Sequence, residues 1–170
     1  NFVTSALTNS DGGFYCAYDA DSLDQNNHLE EGAFYVWTKT ELQQIIKEDY
    51  DLFSAVFNIN DFGFWEKDHY VLIQNQSLEE IAKSNHIHLS DLEKKKKSWE
   101  QLLFIEREKR NKPRLDDKCL TSWNALMLKG YVDAYKALKV EHYLKIALTN
   151  AHFITKFLWH PKGNLFHNYK

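Results

Sequence analysis

Between Leu120 and Leu158 the chain repeats one helical pattern twice, and no other feature narrows its fold as much. Leu120, Trp123, Met127, Tyr131, Ala134 and Leu138 recur at three- and four-residue spacing, which lines one side of an α-helix. After a short break Tyr143, Ile146, Ala147, Asn150, Phe153, Ile154, Phe157 and Leu158 do the same, and Pro161 with Gly163 ends the run. Consecutive amphipathic helices with a short connection pack as a helical hairpin. The 170 residues hold only 2 prolines and 6 glycines, so tight turns are few and a mainly α fold with minor β is expected.

Upstream, Phe2–Thr8 reads as the tail of a helix ended by Gly12 and Gly13. "FYCAY" (14–18) and "AFYVW" (33–37) read as two strands of a hairpin whose long tip is 19–32. Thr38 with Glu41 forms a capping box that opens a helix through Ile46, and a short helix covers about Asp51–Phe57. "DFGFW" (61–65) and "HYVLI" (69–73) form a second hairpin-like pair. Ser77 with Glu80 caps a short helix; Ser90 with Glu93 caps a long one running to about Arg110 and stopped by Pro113. "NLFHNY" (164–169) begins a further strand. "GGFY" (12–15) and "GAFY" (32–35) echo each other, at intervals too irregular for a solenoid.

Composition bounds the partners. A net charge of -3 argues against nucleic acid or an anionic membrane as the main partner. No apolar run approaches the roughly 20 residues of a membrane span, and no signal-peptide core opens the chain. Cys16 and Cys119 stand far apart, outside any C-x-x-C pair, which fits reduced thiols and a cytoplasmic location. The first residue is Asn and the only methionine is Met127, so the chain is expected to be a piece of a longer protein, truncated at both ends.

Two constellations carry chemistry. Asp19 and Asp21 lie two apart, so on an extended segment both carboxylates face one side, and like charges held close yield one acid and one base. An Asp-rich loop satisfying its own amides explains them as well. Counted from Asp19, the same loop fails as a calcium EF-hand, because Leu23 and Asp24 occupy the fifth and sixth positions. "LDDKCLTSWN" (115–124) sets Asp116, Asp117 and Lys118 before the most periodic helix, with Trp123 and Asn124 in its first turn. N-capping by Asp116, Asp117 or Thr121 accounts for one acid but not for the whole group. Tyr15, Trp37, Trp65 and Trp123 stack on sugar rings or fill the core, and Glu31 and Glu66 are polar candidates beside them. "KKKK" (94–97) is interleaved with acids on a long helix and reads as a solvated face. No zinc spacing, nucleophile elbow, Walker loop or dinucleotide fingerprint is present, so neither a metal nor a cofactor is expected.

"GGFYCAYDADS", "EEGAFYVWT" and "REKRNKPRLDDKCLTSWNALM", in that order, resemble the thioredoxin-domain-containing YyaL-like family, which includes spermatogenesis-associated members in animals. The resemblance runs from about Phe2 to the end, and Glu66 matches a family acid where the neighbouring glycine and asparagine do not. It implies an (α/α)6 toroid similar to six-hairpin glycosidases and N-acylglucosamine 2-epimerases, with the thioredoxin-like domain of the same full-length chain as partner. By that resemblance Asp19, Asp21, Asp116 and Asp117 are candidate acid/base residues at a funnel mouth. Tyr15, Trp37, Trp65 and Trp123 would stack on a carbohydrate ligand, with Glu31, Glu66, Lys118 and Asn124 as polar contacts. The implied chemistry is sugar hydrolysis or isomerisation by a carboxylate pair. The alternative is a non-catalytic toroid that binds a glycan or protein, or scaffolds the redox domain. Uncovered toroid faces are expected to favour self-association.

Overall fold

The computed structural model of the chain describes residues 2–24 and 26–170. In chain order the elements are α1 (Phe2–Ala6), β1 (Ala17–Tyr18), β2 (Asp21–Leu23), β3 (Leu29–Glu31), β4 (Trp37–Thr38), α2 (Lys39–Ile46), α3 (Tyr50–Phe57) and β5 (His69–Tyr70). They continue with α4 (Leu78–Ser84), α5 (Leu89–Arg107), β6 (Leu115–Asp116), β7 (Cys119–Leu120), α6 (Thr121–Leu138), α7 (Glu141–Phe153) and β8 (Asn168–Tyr169). The fold is mainly helical with short antiparallel strand pairs. Among the described residues no helix is long and apolar enough to cross a membrane.

Two compact units divide the chain: the residues up to Asp19 together with Arg114–Lys170, and Ala20–Pro113 inserted between them. In the first unit α6 and α7 form the expected helical hairpin. Phe14 stacks on Tyr131 at 5.8 Å and 17°, with Ala147 beside them and Met127 and Tyr143 at the rim. Cys119, Phe153 and Leu158 form a second cluster, flanked by Tyr15. Gly12 has φ +90°, and a Cβ on Gly13 would lie 2.4 Å from the Phe153 ring, so glycine at both positions lets the loop press against α7.

The second unit wraps α2, α3, α4 and α5 around Leu42, Phe53, Leu92, Trp99 and Leu103. Thr38 and Ser77 open α2 and α4 with complete capping boxes to Glu41 and Glu80, as their spacing predicts. The Asp49 carboxylate receives Lys95 Nζ at 2.6 Å and Trp99 Nε1 at 3.1 Å.

Four expectations are corrected. "FYCAY" and "AFYVW" do not pair: Gly32, at φ +72°, starts a turn through Tyr35, and the stretch expected as a tip forms its own hairpin, β2 against β3, with Gln25 lying outside the described residues. β1 pairs instead with β6, and β4 with β5. The long helix α5 starts at Leu89 behind His88, not at Ser90, because Leu92 and its neighbour Leu89 dock into the core; it ends at Arg107 rather than near Arg110. No acid caps α6: Leu120 stands at its N-cap without a side-chain bond, since Asp116 lies in β6. Of the apolar stripe on α6 only Tyr131 is buried, and Trp123 (51 % exposed) faces solvent.

Candidate functional site

In the first unit β1 and β6 pair Ala17 with Asp116 and Tyr18 with Leu115. The ladder extends one residue further, through the Asp19 N–H donating to the Arg114 carbonyl at 2.8 Å. Side chains two apart on a strand share a face, so Asp19, Arg114 and Asp116 stand together on one side and Tyr18 and Leu115 on the other. Arg114 Nε lies 2.9 Å from Asp19, Lys118 Nζ 2.9 Å from Asp116, and Lys170 Nζ 3.0 Å from Asp117. The row therefore alternates in sign. Lys118, through its side chain, holds the Asp116 carboxyl below the usual carboxylate range, so it is ionised at neutral pH.

Tyr15 is half-buried against the cluster around Cys119. Burial, reinforced by Cys119 and Asp117, raises its hydroxyl pKa, which keeps the phenol protonated and a donor. Cys119 is fully buried and its thiol is pushed up to about 11; both cysteines are free thiols. Trp123 presents its ring from the first turn of α6, whereas its neighbour Asn124 is enclosed. The Asn124 Oδ1 accepts from the Phe14 N–H at 2.7 Å and from Asn150 Nδ2 at 2.9 Å. Its Nδ2 donates to the carbonyls of Phe14 and Leu120 at 3.0 and 2.9 Å. Asn124 is thus a structural clamp on the "GGFY" loop, a role that its place beside the acids did not signal.

The remaining candidates belong to the second unit. A bend at Ala20 interrupts the extended segment, so Asp21 starts β2 and faces Glu31 across the β2–β3 ladder. Acids directly opposite repel, and both of these are exposed. Trp65 and Glu66 are exposed on the turn between Gly63 and Tyr70. Trp37 is buried, with the Arg110 guanidinium 3.8 Å above its ring. Arg110 donates to the carbonyls of Ala33, Phe34 and Val36 at 3.2, 3.3 and 2.6 Å, and its Nη2 lies 3.1 Å from Glu41. A cavity of about 710 Å³ opens beside this node, with Trp37, Gln44, His69 and Asn111 in its wall. The roles of Arg110 and Asn150 were not legible in the sequence, because the backbone carbonyls they hold, at Ala33, Phe34 and Val36 and at Gly12, lie more than 70 residues away.

Each unit thus gathers its own carboxylates: Asp19 with Asp116 in the first, Asp21 with Glu31 in the second. No family model matches the chain. It is 34 % identical to an uncharacterized protein of Caenorhabditis elegans over 170 residues, covering 89 % of this chain and 23 % of that protein. It is also 30 % identical to spermatogenesis-associated protein 20 of Homo sapiens and of Mus musculus, over 93 % of this chain and 23 % and 22 % of those proteins. The chain has homologues named spermatogenesis-associated protein 20 at about 30 % identity over most of its length, and it spans less than a quarter of theirs.

Proposed function

We propose that the chain is part of an (α/α)6 toroid of a thioredoxin-domain-containing protein, and that the β1–β6 face of its first unit acts on carbohydrate. The observation that carries this reading is the row of Asp19, Arg114, Asp116 and Lys118 in the same unit as an exposed Trp123 ring in the first turn of α6. Carboxylates that bond hydroxyls and an aromatic face that stacks on a sugar ring together make a carbohydrate site. An ionised Asp116 suits a base, or a charge that stabilises an oxocarbenium-like transition state, and Tyr15 supplies a donor. Asp117, next to Asp116 in the chain, is a further acid for this chemistry, and the Asp21–Glu31 pair offers acids within the second unit by itself. Leu126 (68 % exposed) and Leu148 (62 %) leave the outer faces of α6 and α7 uncovered, which supports a toroid in which further helices lie against them.

A non-catalytic, glycan- or protein-binding role has its own support. Asp19, Asp116 and Asp117 are each ion-paired, and Asp116, held ionised by Lys118, is a poor general acid. The full-length protein, assayed for p-nitrophenyl glycoside hydrolysis and for C2-proton exchange of aldoses in D2O, separates the readings. Catalysis predicts that Asp116→Asn lowers turnover by about 100-fold or more. Unchanged turnover in Asp19→Asn and Asp116→Asn sinks the catalytic reading; saturable sugar binding without turnover establishes the binding one.

A further inference from the structure

The loop Ala33–Trp37 touches two arginines, and only one of them has its counter-charge. Arg110 is complete, with Glu41 as its carboxylate and three backbone carbonyls on its other edge. Arg107 is not. Its guanidinium carbon lies 5.4 Å from the Phe34 ring, 5.7 Å from Tyr35 and 5.5 Å from Phe104. Its Nε is enclosed with no hydrogen-bond partner, and among the described residues no carboxylate pairs with it. The acids nearby on α5 and just beyond it are engaged elsewhere: Glu100 with Lys96, Glu106 with Lys109 and Glu108 with Lys112.

A guanidinium held among aromatic rings keeps its planar donor edge, and that edge matches a carboxylate. The rim selects what the carboxylate is attached to. Tyr35 (41 % exposed) and Phe104 (55 % exposed), at 5.7 and 5.5 Å from the Arg107 guanidinium, are exposed apolar rings. A single cation matches a single negative charge, and a phosphate dianion would leave excess charge beside the ring faces and three glutamates. We propose that Arg107, Tyr35 and Phe104 form a binding site for a carboxylate carried on an apolar or aromatic group. A free aromatic acid and the C-terminal carboxylate of a peptide ending in an apolar residue share this chemistry.

Titration of the full chain with 3-phenylpropionate and its amide, followed by NMR of the arginine and aromatic signals, tests the site. The acid should shift the Arg107, Tyr35 and Phe104 resonances saturably in the millimolar range, with the amide, acetate and inorganic phosphate at least about tenfold weaker. Tighter binding of N-acetylphenylalanine than of the free acid assigns the site to a peptide terminus, and the reverse order to a small aromatic acid. Arg107→Gln should abolish the response and Arg107→Lys weaken it. Phe104→Ser, at an exposed ring that the fold does not require, should reduce 3-phenylpropionate to the level of acetate. Equal response to the acid and the amide, equal or tighter binding of phosphate, or an unchanged titration in well-folded Phe104→Ser overturns the proposal.

Discussion

Both units anchor a loop of the form Gly-x-Phe-Tyr with one polar side chain from far along the chain, but with different chemistry. Gly12 and Gly32 adopt φ +90° and +72°, and in each loop the following aromatic residue is buried while its backbone leaves the strand ladders. In the first unit the loop offers both an N–H and a carbonyl at Phe14, and the neutral amide of Asn124 answers both at once. In the second unit the loop presents three carbonyls, at Ala33, Phe34 and Val36. Nη1 of Arg110 meets all three while Nη2 reaches the Glu41 carboxylate, a division that a planar guanidinium spans and a single ammonium nitrogen does not. The anchoring group is thus chosen by which backbone groups the turn leaves without partners.

The largest expected effect tests whether the amide is as necessary as this contrast implies. Asn124→Leu orphans the Phe14 N–H and carbonyl inside the core and should cost about 4 kcal/mol. Hydrogen exchange should accelerate across α6 and α7 and leave α2–α5 protected; uniform acceleration would show that the units do not unfold separately. Arg110→Lys retains the charge but not the fork of donors, and should cost about 3 kcal/mol in urea unfolding, with the loss confined to the second unit. Full stability in that variant would mean that one ammonium serves the loop as well as a guanidinium.

A third test uses pH. Lys95, with Trp99, holds the Asp49 carboxyl below its ordinary value. A lowered folded-state value means that the unfolded chain takes up the proton first, so this contribution is complete above the ordinary carboxylate range and fades as pH falls through it. It should amount to about 1 kcal/mol, and Asp49→Asn should lower the pH 7 melting temperature while flattening its decline below about pH 4. In the first unit the raised Cys119 thiol has the opposite sign: its contribution is intact below about pH 8.5 and lost as pH rises toward 11. Iodoacetamide at pH 8 should label Cys16 and spare Cys119 until urea unfolds the unit; equal labelling would contradict the burial. The smallest effect belongs to the surface. Arg114→Ala should change stability by less than about 0.5 kcal/mol, because its pair with Asp19 is largely solvated.

Local signals were legible wherever a donor and its acceptor lie within one turn. The boxes Thr38–Glu41 and Ser77–Glu80 need nothing beyond four residues, and they open helices where their spacing places them. The Ser90–Glu93 signal lost to Leu89 and Leu92, whose burial starts α5 earlier. The stripe on α6 predicted a helix but not its buried side. Asn124, a polar residue, is enclosed, while Trp123 and Leu138 are exposed, because periodicity reports which residues share a face and not what covers it.

Helix content, the α6–α7 hairpin, the capped starts of α2 and α4, and the grouping of Asp116, Asp117 and Lys118 before a helix all follow from residues close in sequence. Strand partners do not. β1 finds β6 almost a hundred residues later, and only that pairing sets Asp19 beside Arg114 and on the face of Asp116. The same holds for the split of Asp19 from Asp21 at the bend of Ala20, for the clamp of Asn124 on Phe14, and for the completion of Arg110 but not Arg107. Short-range hydrogen bonds and apolar periodicity are written in neighbouring residues. Which distant backbone groups are left to be satisfied, and by what, is decided only when the chain closes on itself.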